Sequence, residues 1–578
     1  MSKQLPTQYA RLLAGLLLAL PLAGFVLLWQ RYAVNVPKWD DHALRHFLLL
    51  ADQAPTLSNK LYQFVKQHNE HRIAYDRIIA WLDYQLTGKL NFRHLMVVGN
   101  LSLLGLLLVF VSVLRRAGRP LLYAVPVACL LFNLSQWENM YWGMAALQNF
   151  SIMLWVVGAV YYLSYTNRLT TAIGLAVLAT LTSGNGLLVW PIGALILFLR
   201  LAQPHSTRRP LVTWLLISGG AIGLYFIGFT KPGDIAYVQA SIGTLLGGWF
   251  AFMGATAQIV PVTSSLRLCT LLGGLMVLGA LVVIGWSGLT HRQAIGRSFQ
   301  WLVVHPKKRA IASGAVLPPA TLFFWGTALF LLITGLVVAR ARVGFGADLL
   351  ITSRYKPYSL TLLALLYTYA VVWLGGQLGQ WTMRLGILAG LLVGGLSYLS
   401  FLDETIWWRH WLLTNQFNWR YSTNRPVEQV DSVTRQYLEP APAFYTDALS
   451  VLFGPVQGSV VPVQVDSSAA GYRITNESLL ADPTRSPDAG AYVVARSAKR
   501  TYLFPVWQTV VSPVSARFMP GRLFKPGFHA DFTRYELAKD TYALHVLIVD
   551  PGQPYRLYPT NKTLTSAGPP PDTTSKNW

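Results

Sequence analysis

The sequence predicts a polytopic α-helical membrane protein with a β-rich domain appended at its C-terminal end. Three observations lead there. The 578 residues are 53% hydrophobic and only 12% charged, about half the charged fraction of an ordinary soluble chain. Apolar runs near the ~20 residues needed to cross a bilayer recur through the first two thirds of the chain. From about Asn424 those runs stop, and short alternating segments between turn residues replace them. The 20 Trp and 27 Tyr suit many crossings of the headgroup region, where amphipathic rings are enriched.

Residues 12–29 form the first expected span. Lys3 and Arg11 precede it as they would a signal peptide, but the run is too long for one. No small-x-small cleavage site follows before Gln30-Arg31. It reads as a retained helix entering from the cytoplasm. Further spans are expected at 95–114, 121–134, 150–165, 170–181, 187–201, 211–229, 266–286, 316–338, 358–374 and 385–402, about eleven in all. Several fall short of a full crossing, so 170–201 also reads as a re-entrant pair broken at Ser183-Gly184-Asn185-Gly186.

The net charge of +23 would point to nucleic acid in a soluble protein. Here most Lys and Arg sit in short loops beside the spans, where they set orientation, so nucleic acid is excluded as a partner. With the N-terminus in the cytoplasm, the inner loops hold Arg115-Arg116 and Arg119, Arg168, Arg208-Arg209, Lys307-Lys308-Arg309, and Arg384. Residues 36–93, the 136–141 loop and the C-terminal part then lie outside. One basic loop breaks the pattern: residues 340–356 fall outside yet carry Arg340, Arg342, Arg354 and Lys356. Either the span count is off by one there, or cations are kept on that side to bind anions such as a lipid phosphate. Cys129 and Cys269 both lie in apolar runs and read as buried thiols, neither a disulfide nor a metal pair.

Beyond Asp403-Glu404 a tryptophan-rich stretch (Trp407, Trp408, Trp411, Trp419) reads as interfacial. The chain then divides into an expected membrane domain over 1–423, a β-sandwich outside the membrane over 424–565, and a disordered tail over 566–578. Alternating segments at 460–465, 471–474, 492–495, 502–511, 528–532, 542–549 and 555–559 carry the sandwich expectation.

Four clusters could carry chemistry. In the first outer loop, amphipathic helices around Leu44, Phe47, Leu48, Ile73, Ile78 and Ile79 flank Trp39-Asp40-Asp41-His42 and His68-Asn69-Glu70-His71-Arg72. Asp40 or Asp41 could take a proton from a sugar or lipid hydroxyl if burial lifts its pKa, or could cap the helix that starts at His42. Glu70 could be a second base or a metal ligand, His71 a ligand or hydrogen-bond donor, and Arg72 a phosphate clamp with its planar fork. His68 and His71 are three apart, which is not the zinc-helix spacing. In the second outer loop an aromatic belt accounts for Trp137 and Trp142 but not for Glu138, which is costly near hydrocarbon unless it faces a wet cavity. Trp137, Glu138 and Asn139 would suit a sugar ring. In the fourth cluster, Arg340, Arg342, Arg354 and Tyr355 around Gly344-Phe345-Gly346 form the best phosphate site, where fixed charge would stabilise a departing lipid phosphate. No Gly-rich nucleotide loop is present, which disfavours a cytoplasmic nucleotide-sugar donor.

With these residues in place, the layout resembles the GT-C class of integral-membrane glycosyltransferases, and more closely its bacterial multi-pass members. Their first-loop aspartate after the first helix matches Asp40-Asp41, and their short motifs match Asn69–Arg72, Trp137–Asn139 and Ser353–Tyr355. The resemblance covers roughly residues 1–420. It implies a polyprenyl-phosphate-linked sugar donor, transfer on the outer face of the bacterial cytoplasmic membrane to a glycan, lipid or protein acceptor, and in some members a divalent ion such as Mg or Mn. A further acidic residue partners the first-loop aspartate in that class, and either Glu70 or Glu138 could fill the role. The alternatives are a lipid-linked glycan polymerase or ligase, and a non-enzymatic lipid-sugar flippase. The near absence of Asp, Glu, Lys and Arg from the middles of the spans counts against ion-coupled transport.

Overall fold

A computed structural model describes residues 7–203, 206–230, 240–259, 265–303, 316–456, 458–512 and 523–569. Eight helices among them are long and apolar enough to cross a membrane: Arg11–Tyr32, Phe92–Arg116, Gly143–Tyr165, Gly184–Ala202, Arg209–Phe226, Ser265–Thr290, Pro319–Phe345 and Gly376–Arg420. The difference from the expected eleven falls in three places. Residues 121–134 break into a 3₁₀ turn at Leu121–Ala124, a seven-residue helix Val125–Leu131 begun by Pro126, and a second 3₁₀ turn at Leu134–Gln136. Leu169–Thr182 is a 14-residue helix, about 21 Å long and short of the hydrocarbon thickness. Lys356–Trp373 lies where 358–374 was expected, but Lys356, Tyr358, Ser359, Thr361, Tyr367 and Thr368 make it too polar to count. The tryptophan-rich stretch finishes one 45-residue helix, Gly376–Arg420. The basic triplet at 307–309 and the tail from 570 lie outside the described residues, while Ser566 still belongs to the last strand.

The chain divides into two compact units: Met1–Val26, Leu50–Ala80 and His94–Tyr398 form the first, and Leu27–Leu49, Trp81–Arg93 and Leu399–Trp578 the second. The first outer loop of the sequence reading contributes to both. It folds as helices α2 (Asp41–Asp52), α3 (Leu57–Val65) and α4 (Ala74–Thr87), with α1 (Thr7–Tyr32) before them and α5 (Phe92–Arg116) after. Thr56 caps α3, its Oγ1 accepting from the Asn59 N–H at 3.1 Å. A two-strand hairpin of β1 (Gln67–His68) and β2 (His71–Arg72) separates α3 from α4.

Within the first unit, helices approach closely where side chains are small. A Cβ on Gly273 would land on the Phe250 carbonyl oxygen, so the helix Ser265–Thr290 packs backbone to backbone on Ile242–Met253.

The second unit is β-rich. Eight strands, β3 (Gln464–Ser467), β4 (Gly471–Asn476), β5 (Gly490–Arg496), β6 (Thr501–Pro505), β7 (Trp507–Val510), β8 (Phe524–Thr533), β9 (Asp540–Val549) and β10 (Arg556–Ser566), form two antiparallel sheets. Their orders are β10-β9-β5-β6 and β3-β4-β8-β7. Alternation along β4 buries Tyr472 and Ile474 while Arg473 stays out. Those two share a hydrophobic core with Phe528, Ala530 and Phe532 of the same sheet and Val493, Phe504, Leu544 and Val546 of the other. Phe504 and Phe532 stack at 4.0 Å with rings 8° from parallel, an arrangement that adds to their area burial.

Candidate functional site

The hairpin after α3 positions the first set of polar groups. His68 pairs with His71 and Gln67 with Arg72, and Asn69 turns the chain with φ at +47°, a conformation its short amide side chain tolerates. Glu70 therefore stands at the tip. The hairpin is fastened from below by Arg72, which is buried. Its Nε donates to the Tyr225 carbonyl at 2.6 Å, Nη1 to the Val65 carbonyl and Nη2 to the Ile227 carbonyl. All three nitrogens of the fork serve the backbone, joining the end of α3 to the end of the helix Arg209–Phe226. The expected phosphate clamp is thus a structural tie. Arg77 supports it by donating to the Phe64 and Lys66 carbonyls.

Glu70 faces Arg342 at 3.7 Å, with about a third of each side chain open to solvent. This is a loose pair, and Arg342 keeps donors for another anion. Next to it, burial lowers the His71 pKa below the ordinary imidazole range, Glu70 opposes that, and His68 and Arg342 add to it. His71 Nδ1 is buried and has no hydrogen-bond partner among the described residues, as is the case for Tyr225 Oη. Both atoms close over Gly184: a Cβ there would stand 2.8 Å from Nδ1 and 3.3 Å from Oη. Glycine in the Ser183–Gly186 turn therefore does more than bend the chain, because it makes room for the imidazole.

The second set of groups comes from the loop 133–142 and the 3₁₀ turn Ser353–Tyr355. Ser353 Oγ donates to the Ser135 carbonyl at 2.8 Å and accepts from the Glu138 N–H at 3.1 Å, latching the two segments. The Glu138 carboxylate then meets Arg354 twice, at 3.0 Å from Nη2 and 3.3 Å from the backbone N–H. Burial raises the Glu138 pKa, and the charge and hydrogen bonds of Arg354 work against that rise. Asn139 Nδ2 donates to the Arg354 carbonyl at 3.1 Å, and Asn139 Oδ1 accepts from Asn149 at 2.7 Å. Asn149 lies in a π-helical turn, Ala146–Phe150, an irregularity that recurs near functional groups. The Arg354 guanidinium also sits 5.7 Å from the centre of the Trp142 ring.

These sets are joined within the first unit. Asn185 donates to Tyr358 Oη at 3.0 Å, and the Phe252 ring lies 5.4 Å from the rings of both Tyr355 and Tyr358. The segment 342–358 thus carries Arg342 toward Glu70 at one end and Arg354 toward Glu138 near the other. Arg340, in the last turn of the helix Pro319–Arg342, is exposed. Trp137, Glu138 and Asn139 are buried, and Glu138 and Asn139 position residues 353–354. Sequence reasoning missed Ser353, Asn149 and Tyr225. Only Ser353 carried a signal, as part of the Ser-Arg-Tyr motif.

Asp40 and Asp41 belong to the second unit. Trp39, with φ at +42°, makes a tight turn, and Asp41 becomes the first residue of α2. Its carboxylate is fully buried and accepts from the Lys38 N–H at 3.0 Å, so it fixes the turn before the helix. Asp40 is half-buried and the more accessible of the two. Lys38 is buried against tryptophans, its Nζ 3.7 Å from the Trp39 ring centre and 2.8 Å from that of Trp411.

Among the described residues no three His, Cys, Asp or Glu side chains converge to hold a metal ion, and Glu70 faces a guanidinium. No protein-family model, curated protein or solved structure matches the chain.

Proposed function

We propose that this chain is a membrane glycosyltransferase. It moves a sugar from a polyprenyl-phosphate donor to a glycan, lipid or protein acceptor on the outer face of the cytoplasmic membrane. The observation that supports this reading is the pairing on the segment 342–358: two arginines, each facing a carboxylate from a different stretch of the chain, in a unit otherwise built from apolar helices. Charge in such surroundings is costly and is kept where it works on a substrate.

Arg342, loosely paired and partly open, takes the donor phosphate. Arg354, held by Glu138, Ser353 and Asn139 around it, supplies fixed positive charge. As the bond from the anomeric carbon to the phosphate oxygen breaks, its electron pair moves onto that oxygen, where the guanidinium charge stabilises it. The acceptor oxygen attacks the anomeric carbon and gives its proton to a carboxylate. On the sequence argument that carboxylate is Asp40, which is also the more accessible of the two aspartates. The two sheets of the second unit read as a β-sandwich outside the membrane.

The test uses undecaprenyl phosphate as the probe and purified protein in detergent, with binding followed by native mass spectrometry. Wild type and Asp40→Asn should bind alike, and Arg342→Ala should bind at least tenfold more weakly. Unchanged binding by Arg342→Ala would remove the phosphate site.

A further inference from the structure

We propose that the second unit contains a binding site for a negatively charged sugar ring, in a cavity of about 150 Å³ lined by Trp419, Gln416, Lys89, Arg435, Arg420 and Glu428 among others. That volume is below the roughly 300–1,000 Å³ of pockets for drug-sized ligands and suits a single ring. The assignment goes beyond the transfer reading and does not depend on it.

The walls are fixed by backbone pairing. The Leu90 N–H donates to the Tyr437 carbonyl at 2.8 Å and the Glu439 N–H to the Leu90 carbonyl at 3.1 Å, so the chain at 89–92 is bonded to that at 437–440. Asn35 bridges both, donating to the Glu439 carbonyl at 3.0 Å and accepting from the Phe92 N–H at 2.8 Å. A preformed pocket loses little ordering entropy when it binds.

Its side chains select a ligand class. Trp419 offers an apolar face for the C–H side of a sugar ring, and His42 packs against it at 77°, fixing its plane. Gln416 Oε1 accepts from Tyr445 Oη at 2.7 Å, which leaves the amide nitrogen as its donor to a hydroxyl. The charges are unbalanced. Glu428 is taken by Arg420 at 3.2 Å, while Glu439, which also lines the cavity, accepts only a neutral amide N–H from Asn91 at 2.6 Å and keeps its charge. Among the described residues, neither Lys89 nor Arg435 has a carboxylate at ion-pair distance; Lys89 Nζ reaches only the Arg435 backbone carbonyl. Lys89 and Arg435 together outweigh Glu439, and that net positive charge beside an indole and an amide matches a ring that bears a carboxylate, as in a uronic acid. A free inorganic anion would make no use of the tryptophan, and a neutral sugar none of the cations.

The experiment is saturation-transfer NMR and titration on the full chain in detergent, with glucuronate, glucose and acetate as probes. Glucuronate should bind at least tenfold more tightly than glucose or acetate. Trp419→Ala should weaken glucuronate binding at least tenfold and Trp419→Phe should restore most of it. Lys89→Gln with Arg435→Gln should lower the affinity for glucuronate to that for glucose. Arg342→Ala should leave it unchanged, which separates this site from the phosphate site. Equal binding of glucose and glucuronate, competition by acetate as strong as by glucuronate, or no effect of Trp419→Ala would overturn the assignment.

Discussion

Glu138 holds Arg354 by both of its oxygens, 3.0 Å from the guanidinium and 3.3 Å from the backbone N–H, with only 7% of its side chain exposed. A buried carboxylate kept above its ordinary pKa by burial tolerates ionisation only while that arginine stays. Arg354→Ala should therefore destabilise the protein by about 3–5 kcal/mol, because it strands a buried charge. Glu138→Gln should cost less, and adding it to Arg354→Ala should recover part of the loss. Thermal unfolding of the two single variants and the double variant in one detergent checks this. Additive losses would contradict the pairing.

Arg72 supplies a second prediction. A lysine cannot reach the carbonyls of Val65, Tyr225 and Ile227 together. The Tyr225 carbonyl, buried, costs about 1–3 kcal/mol if left unmet, and those of Val65 and Ile227, on exposed residues, cost less. In Arg72→Lys, amide hydrogen exchange should speed up at both 65–72 and 225–229. Exchange that is unchanged, with weaker phosphate binding, would instead return Arg72 to the role of an anion clamp.

Gly184 gives a paired test. The methyl group of Gly184→Ala would stand 2.8 Å from His71 Nδ1, and overpacking of that kind costs about 1–3 kcal/mol. In a His71→Ala background the same substitution should cost much less, with only Tyr225 Oη at 3.3 Å left to give way. A penalty that persists there would mean that the close approach is not what requires glycine.

His42 sets a pH dependence. Burial, helped by Arg45 and Lys38 and opposed by Asp431, lowers its pKa from 6.5 to about 4. Between those values the unfolded chain binds the proton and the folded one does not. The contribution is complete above pH 6.5 and is lost as the pH falls toward 4. The slope is at most about 1.4 kcal/mol per pH unit for one proton. The unfolding temperature should drop between pH 7 and pH 5, and less so in His42→Gln. Identical pH profiles would remove His42 as the cause.

Long apolar runs made most of the crossing helices legible, because burial in lipid needs length and little else. Glu138 was legible for the opposite reason: a carboxylate beside an apolar run demands a partner. That the partner is Arg354 was not, since the two lie 216 positions apart. The backbone role of Arg72 was not legible because its partners are carbonyls, which no residue type announces. The hairpin at 67–72 was hidden because two-residue strands are too short to show a period. Residues 121–134 read as a span by hydropathy alone, although Pro126 stands at the start of the short helix and Asn133 caps the 3₁₀ turn that follows it.

The most direct test of the transfer reading is a lipid mass spectrum of membranes from cells lacking this protein, complemented with wild type, Asp40→Asn or Arg342→Ala. A polyprenyl-phosphate monosaccharide should accumulate without the protein and with either variant, and should clear with wild type. If no such lipid builds up in cells without the protein, the chain does not consume that donor, and the reading is contradicted.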